Sequence, residues 1–256
     1  MATKIKTMHR LLSLLVILLW SSVVIAQPLR VAVAANAQFV MKSLQSDFKK
    51  KTGITIETIV GSSGKLSAQI KNGAPFDFFL SADMDFPNAL YRDGMGLNKP
   101  KVYALGSLIV CNTVGLDIQN WKSFLSGNKI NKIAIANPAL APYGKAAEET
   151  LRYYGLWDKV RTKIVLAESI AQVNTYITTG VVSLGFTTAA FLHENRESGK
   201  LKWQKVDPKV YAPIKQGMLV LIHAKKGNYD KAMKFYNYLQ SAEARQLLIS
   251  RGYSIP

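Results

Sequence analysis

The chain has 256 residues with a single cysteine, and its 33 Lys and Arg against 16 Asp and Glu leave a net charge of +17. One cysteine excludes an internal disulfide framework, and the length allows one large or two small domains with proper cores. The positive balance favours anionic partners over cationic ones.

In chain order the first element is a leader. Lys4, Lys6 and Arg10 precede an apolar run from Leu11 to Ala26, broken only by Ser13, Ser21 and Ser22 and ending in Val24-Ile25-Ala26 before Gln27-Pro28. The pattern predicts a signal peptide over residues 1–26. The run is shorter than the roughly 18 uninterrupted apolar residues a spanning helix needs, and no cysteine stands at the cleavage site to take a lipid. The mature chain is expected to be exported and soluble. Removing the leader takes +3 from the +17 and leaves +14. Export argues against nucleic acid as the partner, and the remaining lysines (Lys42, Lys49, Lys50, Lys51; Lys225, Lys226, Lys231, Lys234) read as solvated helix faces without an aromatic platform.

Beyond the leader, "LRVAVAA" predicts a buried strand, and Val40, Met41, Leu44 and Phe48 then recur at helical spacing until Gly53. "ITIETIV" predicts a strand, "KLSAQIKNG" a helix and "FDFFLSA" a strand. Strand–helix–strand units in succession define an α/β class with mainly parallel sheets flanked by helices. After "YALGSLIVCN", which ends in the strand-like run "SLIVCN", a second series repeats the plan: a short helix over Trp121 to Ser126, then "KIAIAN", "GKAAEETLRYYG", "KIVLAES", "IAQVNTYITTG" and "VSLGFTT". The chain runs on through "LKWQKVD", crosses a Pro-containing segment, forms "QGMLVLIHA" and ends in two helices. This order predicts a two-lobed clamp: lobe 1 from residues 27–111 plus 213–256, lobe 2 from 112–212, with crossings near Val110 to Asn112 and Asp207 to Ile214.

Ligands of open parallel sheets sit beyond the carboxyl ends of the strands, where helices begin. Four such junctions share one chemistry: "VAVAANAQ" (Ala35, Asn36), "IVGSSGK" (Ser62, Ser63), "IANPALAPYGK" (Pro142, Tyr143, Gly144) and "VLAESIAQ" (Ser169, Ile170). Each offers free helix-start amides, several add a neutral donor, and none has the cation–carboxylate arrangement suited to a phosphate ester or amino acid. Gly61 to Lys65 is no Walker loop, because two residues rather than four separate the glycines and Leu66 replaces the metal-binding hydroxyl. The four junctions suit a small oxyanion. Lys65 reads as a solvated first-turn residue.

An enzyme is the rival class. Only His193 and His223 remain after the leader, Ser63 has no evident base beside it, and Asp77, Asp83 and Asp85 lack the glycine and terminal Glu of a calcium loop. No catalytic residue, cofactor or bound metal ion is expected. Among binders, sulfate is the hardest rival, followed by phosphate and small organic anions.

The segments "VAVAANAQF", "GSSGKLSAQIKNGAPFDFFLSAD", "IAIANPALAPYGKAAEETL", "VLAESIAQV" and "LGFTTAA", in this order, resemble the periplasmic molybdate-binding proteins of ABC transporters. The resemblance covers nearly all of the mature chain. It implies a type II periplasmic binding fold whose lobes close on molybdate or tungstate and deliver it to an inner-membrane permease, the protein acting as a monomer. Position by position it implies Asn36 and Ser63 as oxyanion ligands from the first lobe, and Tyr143 and Ile170, through their amides, from the second. Ala35 stands where members often carry a hydroxyl, and Phe186 where some place a tyrosine that reaches the ligand. Ser62 completes the expected set.

Overall fold

The structure is a computed structural model describing residues 27–127, 130–194 and 201–256, and the expected signal peptide lies outside these residues. Ten strands are present among them: β1 Leu29–Ala34, β2 Ile56–Gly61, β3 Phe78–Leu80, β4 Lys101–Gly106, β5 Leu108–Asn112, β6 Ile133–Ala136, β7 Ile164–Ala167, β8 Leu184–Thr188, β9 Lys202–Lys205 and β10 Ile214–Val220. They form two five-stranded sheets, ordered β2-β1-β3-β10-β4 and β7-β6-β8-β5-β9. The main helices are α1 Gln38–Thr52, α2 Ser63–Lys71, α3 Asp85–Arg92, α4 Trp121–Ser126, α5 Pro142–Tyr153, α6 Trp157–Val160, α7 Ile170–Thr178, α8 Ala190–Glu194, α9 Tyr229–Tyr238 and α10 Ala242–Ser250.

The sheets are built alike. In each, three neighbouring strands pair in parallel and one strand runs against the rest, β10 pairing antiparallel with β3 and β4, and β5 with β8 and β9. Four strands of each sheet thus point one way and one the other, a mixed sheet that is mainly parallel in strand direction. The antiparallel strand next to each parallel set arrives from across the molecule, β5 directly after β4 and β10 after β9, which ties the two lobes together twice.

The stretch "YALGSLIVCN" holds parts of two strands in different sheets. Leu108 to Cys111 pair with β8 in the second sheet, so the first crossing is at Ser107 and the expected boundary at 111/112 falls inside a buried strand. Gly106 and Ser107 interrupt the apolar run there, a break too short to register against the alternation on either side. The second crossing spans 206–213, between β9 and β10, and contains the 3-10 turn Pro208–Val210.

Burial explains the composition of the strands. β1 is buried at five of its six positions, because helices cover both faces of the sheet and polar alternation has no solvent side to serve. One cluster around Phe48, Phe78 and Phe235 packs on one face of the first sheet, and another around Leu66, Phe79 and Leu90 on the other. The second lobe has its own core around Val110, Ile135 and Phe186. Cys111 is fully buried there and burial pushes its thiol up, as suits a packing residue. Among the described residues no helix is long and apolar enough to cross a membrane.

Helix ends set where the strands deliver the chain. α1 stops at Gly53, whose φ of 72° only glycine adopts without strain. α5 approaches β6 so closely that a Cβ on Gly144 would lie 2.0 Å from the Ala136 carbonyl oxygen. Glycine at a helix interior otherwise costs about 1 kcal/mol relative to alanine. We expect Gly144→Ala to destabilise the protein by about 1–3 kcal/mol, the cost of overpacking against backbone, seen as a lowered thermal midpoint. A raised midpoint would mean that α5 is not seated this tightly.

Candidate anion site

Three helices of nine or more residues begin at the interface of the lobes: α2 from the first lobe, α5 and α7 from the second. The 3-10 turn Ala35–Ala37, leading into α1, adds a fourth chain reversal. Together they enclose a cavity of about 10 Å³, room for one water-sized sphere, lined by Ala34, Ala35, Asn36, Ser62, Ser63, Ala82, Ala141, Pro142, Tyr143 and Ile170. Six of the seven residues singled out in the sequence, Ala35, Asn36, Ser62, Ser63, Tyr143 and Ile170, meet here.

Phe186 does not line the cavity. It is fully buried on β8, with its ring 5.5 Å from that of Trp121 at 85°, an edge-to-face contact within the second core. Side chains alternate along β8: Thr187 bonds to Asn174 on α7, whereas Phe186 turns to the opposite face. Its expected place at the ligand is therefore corrected to a core position.

Among the described residues the cavity walls carry no charged side chain. Their polarity comes from helix starts, where the first amides have no carbonyl one turn back. In α2 the Gly64 amide donates to the Leu140 carbonyl at 2.9 Å, and the Lys65 amide to Ser62 Oγ at 3.4 Å, so Ser62 is the capping residue. Ser63 differs from it: its Oγ accepts the Ala82 amide at 2.9 Å, which leaves its own proton to donate. Among the described residues the Ser63, Tyr143 and Ile170 amides donate to no carbonyl outside their helices. Asn36 is 2 % exposed, and its Nδ2 donates to Gln216 Oε1 at 2.8 Å and, at 3.5 Å, to Tyr253 Oη, while its Oδ1 has no partner among the described residues.

The Tyr143 ring is buried beside the cavity, and its hydroxyl accepts from Gln216 Nε2 and Thr188 Oγ1, both at 3.2 Å. The phenol is thus engaged elsewhere, and Tyr143 faces the cavity with its helix-start amide. Gln216, fully buried on β10, was not foreseen. Its place in "PIKQGMLV", two residues after Ile214 and so on the inward phase of the strand that Lys215 faces away from, was the signal that could have marked it.

The lobes stand closed. Besides the Gly64–Leu140 bond, Lys65 Nζ lies 2.7 Å from Glu168 Oε1 across the cleft, and Lys145 Nζ 4.0 Å from Asp85. Lys65 is therefore half of an interlobe ion pair rather than a free solvated residue. With both side chains about half exposed it is worth no more than about 1 kcal/mol. Ala82 and Pro142 also form part of a larger interlobe groove of about 290 Å³, in which Lys145 and Lys215 face Asp83, Asp85 and Glu149. Burial pushes the Asp83 carboxyl up there, partly offset by the Phe86 amide and the Ser81 hydroxyl.

A closed cleft between two α/β lobes, with helix starts aimed into an uncharged cavity, defines a solute-binding clamp for a small anion. The comparisons agree. The family described as bacterial extracellular solute-binding protein matches residues 29–254, and the chain belongs to that family. It is 33% identical over 232 residues to the molybdate-binding protein ModA of Azotobacter vinelandii, covering 90% of this chain and 91% of that protein. It is likewise 33% identical over 224 residues to ModA of Rhodobacter capsulatus, covering 87% and 86%. The solved structure of the Azotobacter vinelandii periplasmic molybdate-binding protein superposes with a TM-score of 0.81 at 32% identity, covering 89% of this chain and 99% of that one.

The cavity geometry ranks its residues. Ser63→Ala removes a free hydroxyl donor and is expected to weaken oxyanion binding by about 1.5–3 kcal/mol, the range for a hydrogen bond to a charged partner. Lys65→Ala, losing only an exposed pair, should cost less than about 1 kcal/mol. Dissociation constants and melting temperatures of both variants decide it. A larger affinity loss from Lys65→Ala than from Ser63→Ala would contradict the ranking.

Proposed function

We propose that this protein captures molybdate or tungstate in the periplasm, as a monomer, and passes it to the permease of an ABC transporter. The observation that carries the reading is the uncharged cavity lined from both lobes by Ser63, Tyr143 and Ile170, each in the first turn of its helix, with the Ser63 hydroxyl proton left to donate. A dehydrated dianion there is stabilised by oriented dipoles, each helix start contributing about 0.3–1 kcal/mol and more when partly buried. The names of the curated relatives support the choice of molybdate within that class.

Binding rather than catalysis fits the same residues. Ser63 Oγ is held by an amide, and no histidine, carboxylate or lysine lines the cavity to activate it. His223 pairs with buried Asp77 at 2.9 Å, whose other oxygen takes the Asn228 amide and the Arg30 backbone N–H, so that dyad is spent on joining chain ends. The permease would receive the closed form, in which residues of both lobes, Lys65 and Glu168 among them, meet at the cleft.

Sulfate is the second reading, sharing charge and shape with molybdate. Hydrogen phosphate carries a proton that needs an acceptor; the described lining has no carboxylate for it and offers only the neutral Asn36 Oδ1. Calorimetric titration of the mature protein with the four anions separates these readings. We expect one tight site for molybdate and tungstate and far weaker binding of sulfate and phosphate. Tighter sulfate than molybdate binding would overturn the proposed ligand while leaving the oxyanion class in place.

A further inference from the structure

Asn36 Oδ1 is a buried acceptor without a partner on a residue that lines a cavity built for an anion. An acceptor is the wrong group to offer a fully deprotonated oxyanion. It also belongs to a buried chain of hydrogen bonds that joins the lobes. Tyr103 Oη and Asn36 Nδ2 both donate to Gln216 Oε1 at 2.8 Å. Gln216 Nε2 donates to Tyr143 Oη, which also accepts from Thr188 Oγ1. Tyr253 Oη donates to the Asn36 carbonyl at 2.7 Å and anchors its backbone from the C-terminal end.

This chain of bonds can run in either direction. Burial pushes the phenols of Tyr103, Tyr143 and Tyr253 up, so each keeps its proton and can give or accept a hydrogen bond. A half-turn of an amide exchanges its donor and acceptor ends in nearly the same space. If Asn36 and Gln216 turn together, Gln216 Nε2 donates to Asn36 Oδ1 and to Tyr103 Oη, and Gln216 Oε1 accepts the Tyr143 proton. The orphaned Oδ1 gains its partner, and Asn36 Nδ2 takes its former place as a free donor.

We propose that Gln216 is the positioning residue that lets Asn36 present Nδ2 to a fully deprotonated oxyanion, the two amides turning as a pair, and so favours such an anion over one that carries a proton. The inference rests on the oxyanion function proposed above. It requires at position 216 a side chain that can both give and accept. Glutamate there only accepts when ionised, so it would hold Asn36 Nδ2 to itself and leave Oδ1 toward the anion. Oδ1 repels molybdate but can take the proton of hydrogen phosphate. Methionine, of similar length, imposes neither orientation.

The test compares Gln216→Glu and Gln216→Met with the wild-type mature protein in titrations against molybdate and phosphate. Gln216→Glu is expected to lower molybdate affinity by at least about 30-fold, as for a charge-assisted hydrogen bond lost to repulsion. Its added charge weakens both anions, so the decisive readout is the molybdate-to-phosphate affinity ratio. That ratio should narrow about tenfold in Gln216→Glu and stay close to wild type in Gln216→Met. Equal ratios in the two variants would overturn the proposal. A neutron structure of the deuterated wild-type protein with molybdate decides the same point should Gln216→Glu not fold. We expect Asn36 Nδ2 on the anion and Gln216 Nε2 on Asn36 Oδ1; Nδ2 still on Gln216 overturns the paired turn. The two levels fail separately: no wild-type binding of molybdate overturns the proposed ligand, whereas tight binding with the amides unturned overturns this inference alone.

Discussion

A divalent oxyanion taken out of water without a counter-charge can be held only by oriented dipoles, and the architecture follows from that constraint. Free amides are densest at helix starts, and in an α/β sheet helix starts lie beyond the carboxyl ends of the parallel strands. One sheet edge supplies too few to surround a tetrahedron. Two sheets of the same order, facing each other, supply α2 from one side and α5 and α7 from the other. The swapped antiparallel strands β5 and β10 link the lobes at both crossings, so that closure brings fixed surfaces together.

The contacts that close the cleft are individually weak. The Lys65–Glu168 pair is exposed at the mouth, and Lys145–Asp85 is at the limit of an ion pair. The backbone bond from Gly64 to Leu140 is more demanding, since a Cβ on Gly64 would come within 3.0 Å of the Leu140 Cα. Closure therefore depends on a bare backbone approach near the cavity, with charges arranged outside it. This division keeps net charge away from the anion, while charges of both signs, Lys145 and Lys215 against Asp83, Asp85 and Glu149, line the outer groove.

Much of this was legible in the sequence because the junction residues are local. Ala35 and Asn36, Ser62 and Ser63, Tyr143, and Ile170 each stand where an apolar run meets a helical period, and the fold brings these short segments to one cavity. What the sequence hid is long-range. Gln216 bonds to Asn36 across 180 positions and Lys65 to Glu168 across 103, distances over which neither period nor spacing carries a signal. Phe186 was misplaced because the face of a strand is set by register with its neighbours, here with Val110 on β5. The first crossing was misread for a similar reason: Ser107 parts one apolar run into strands of two sheets, and only the pairing reveals it.

The central claim is that one anion is held by both lobes between Ser63 and the starts of α5 and α7. A crystal structure of the protein grown with molybdate tests this directly through the anomalous signal of the metal. The account predicts a single strong peak within hydrogen-bonding reach, through the oxygens around it, of Ser63 Oγ and of the Tyr143 and Ile170 amides. A peak held by one lobe alone, or lodged in the outer groove among Lys145, Lys215 and Asp85, would contradict it.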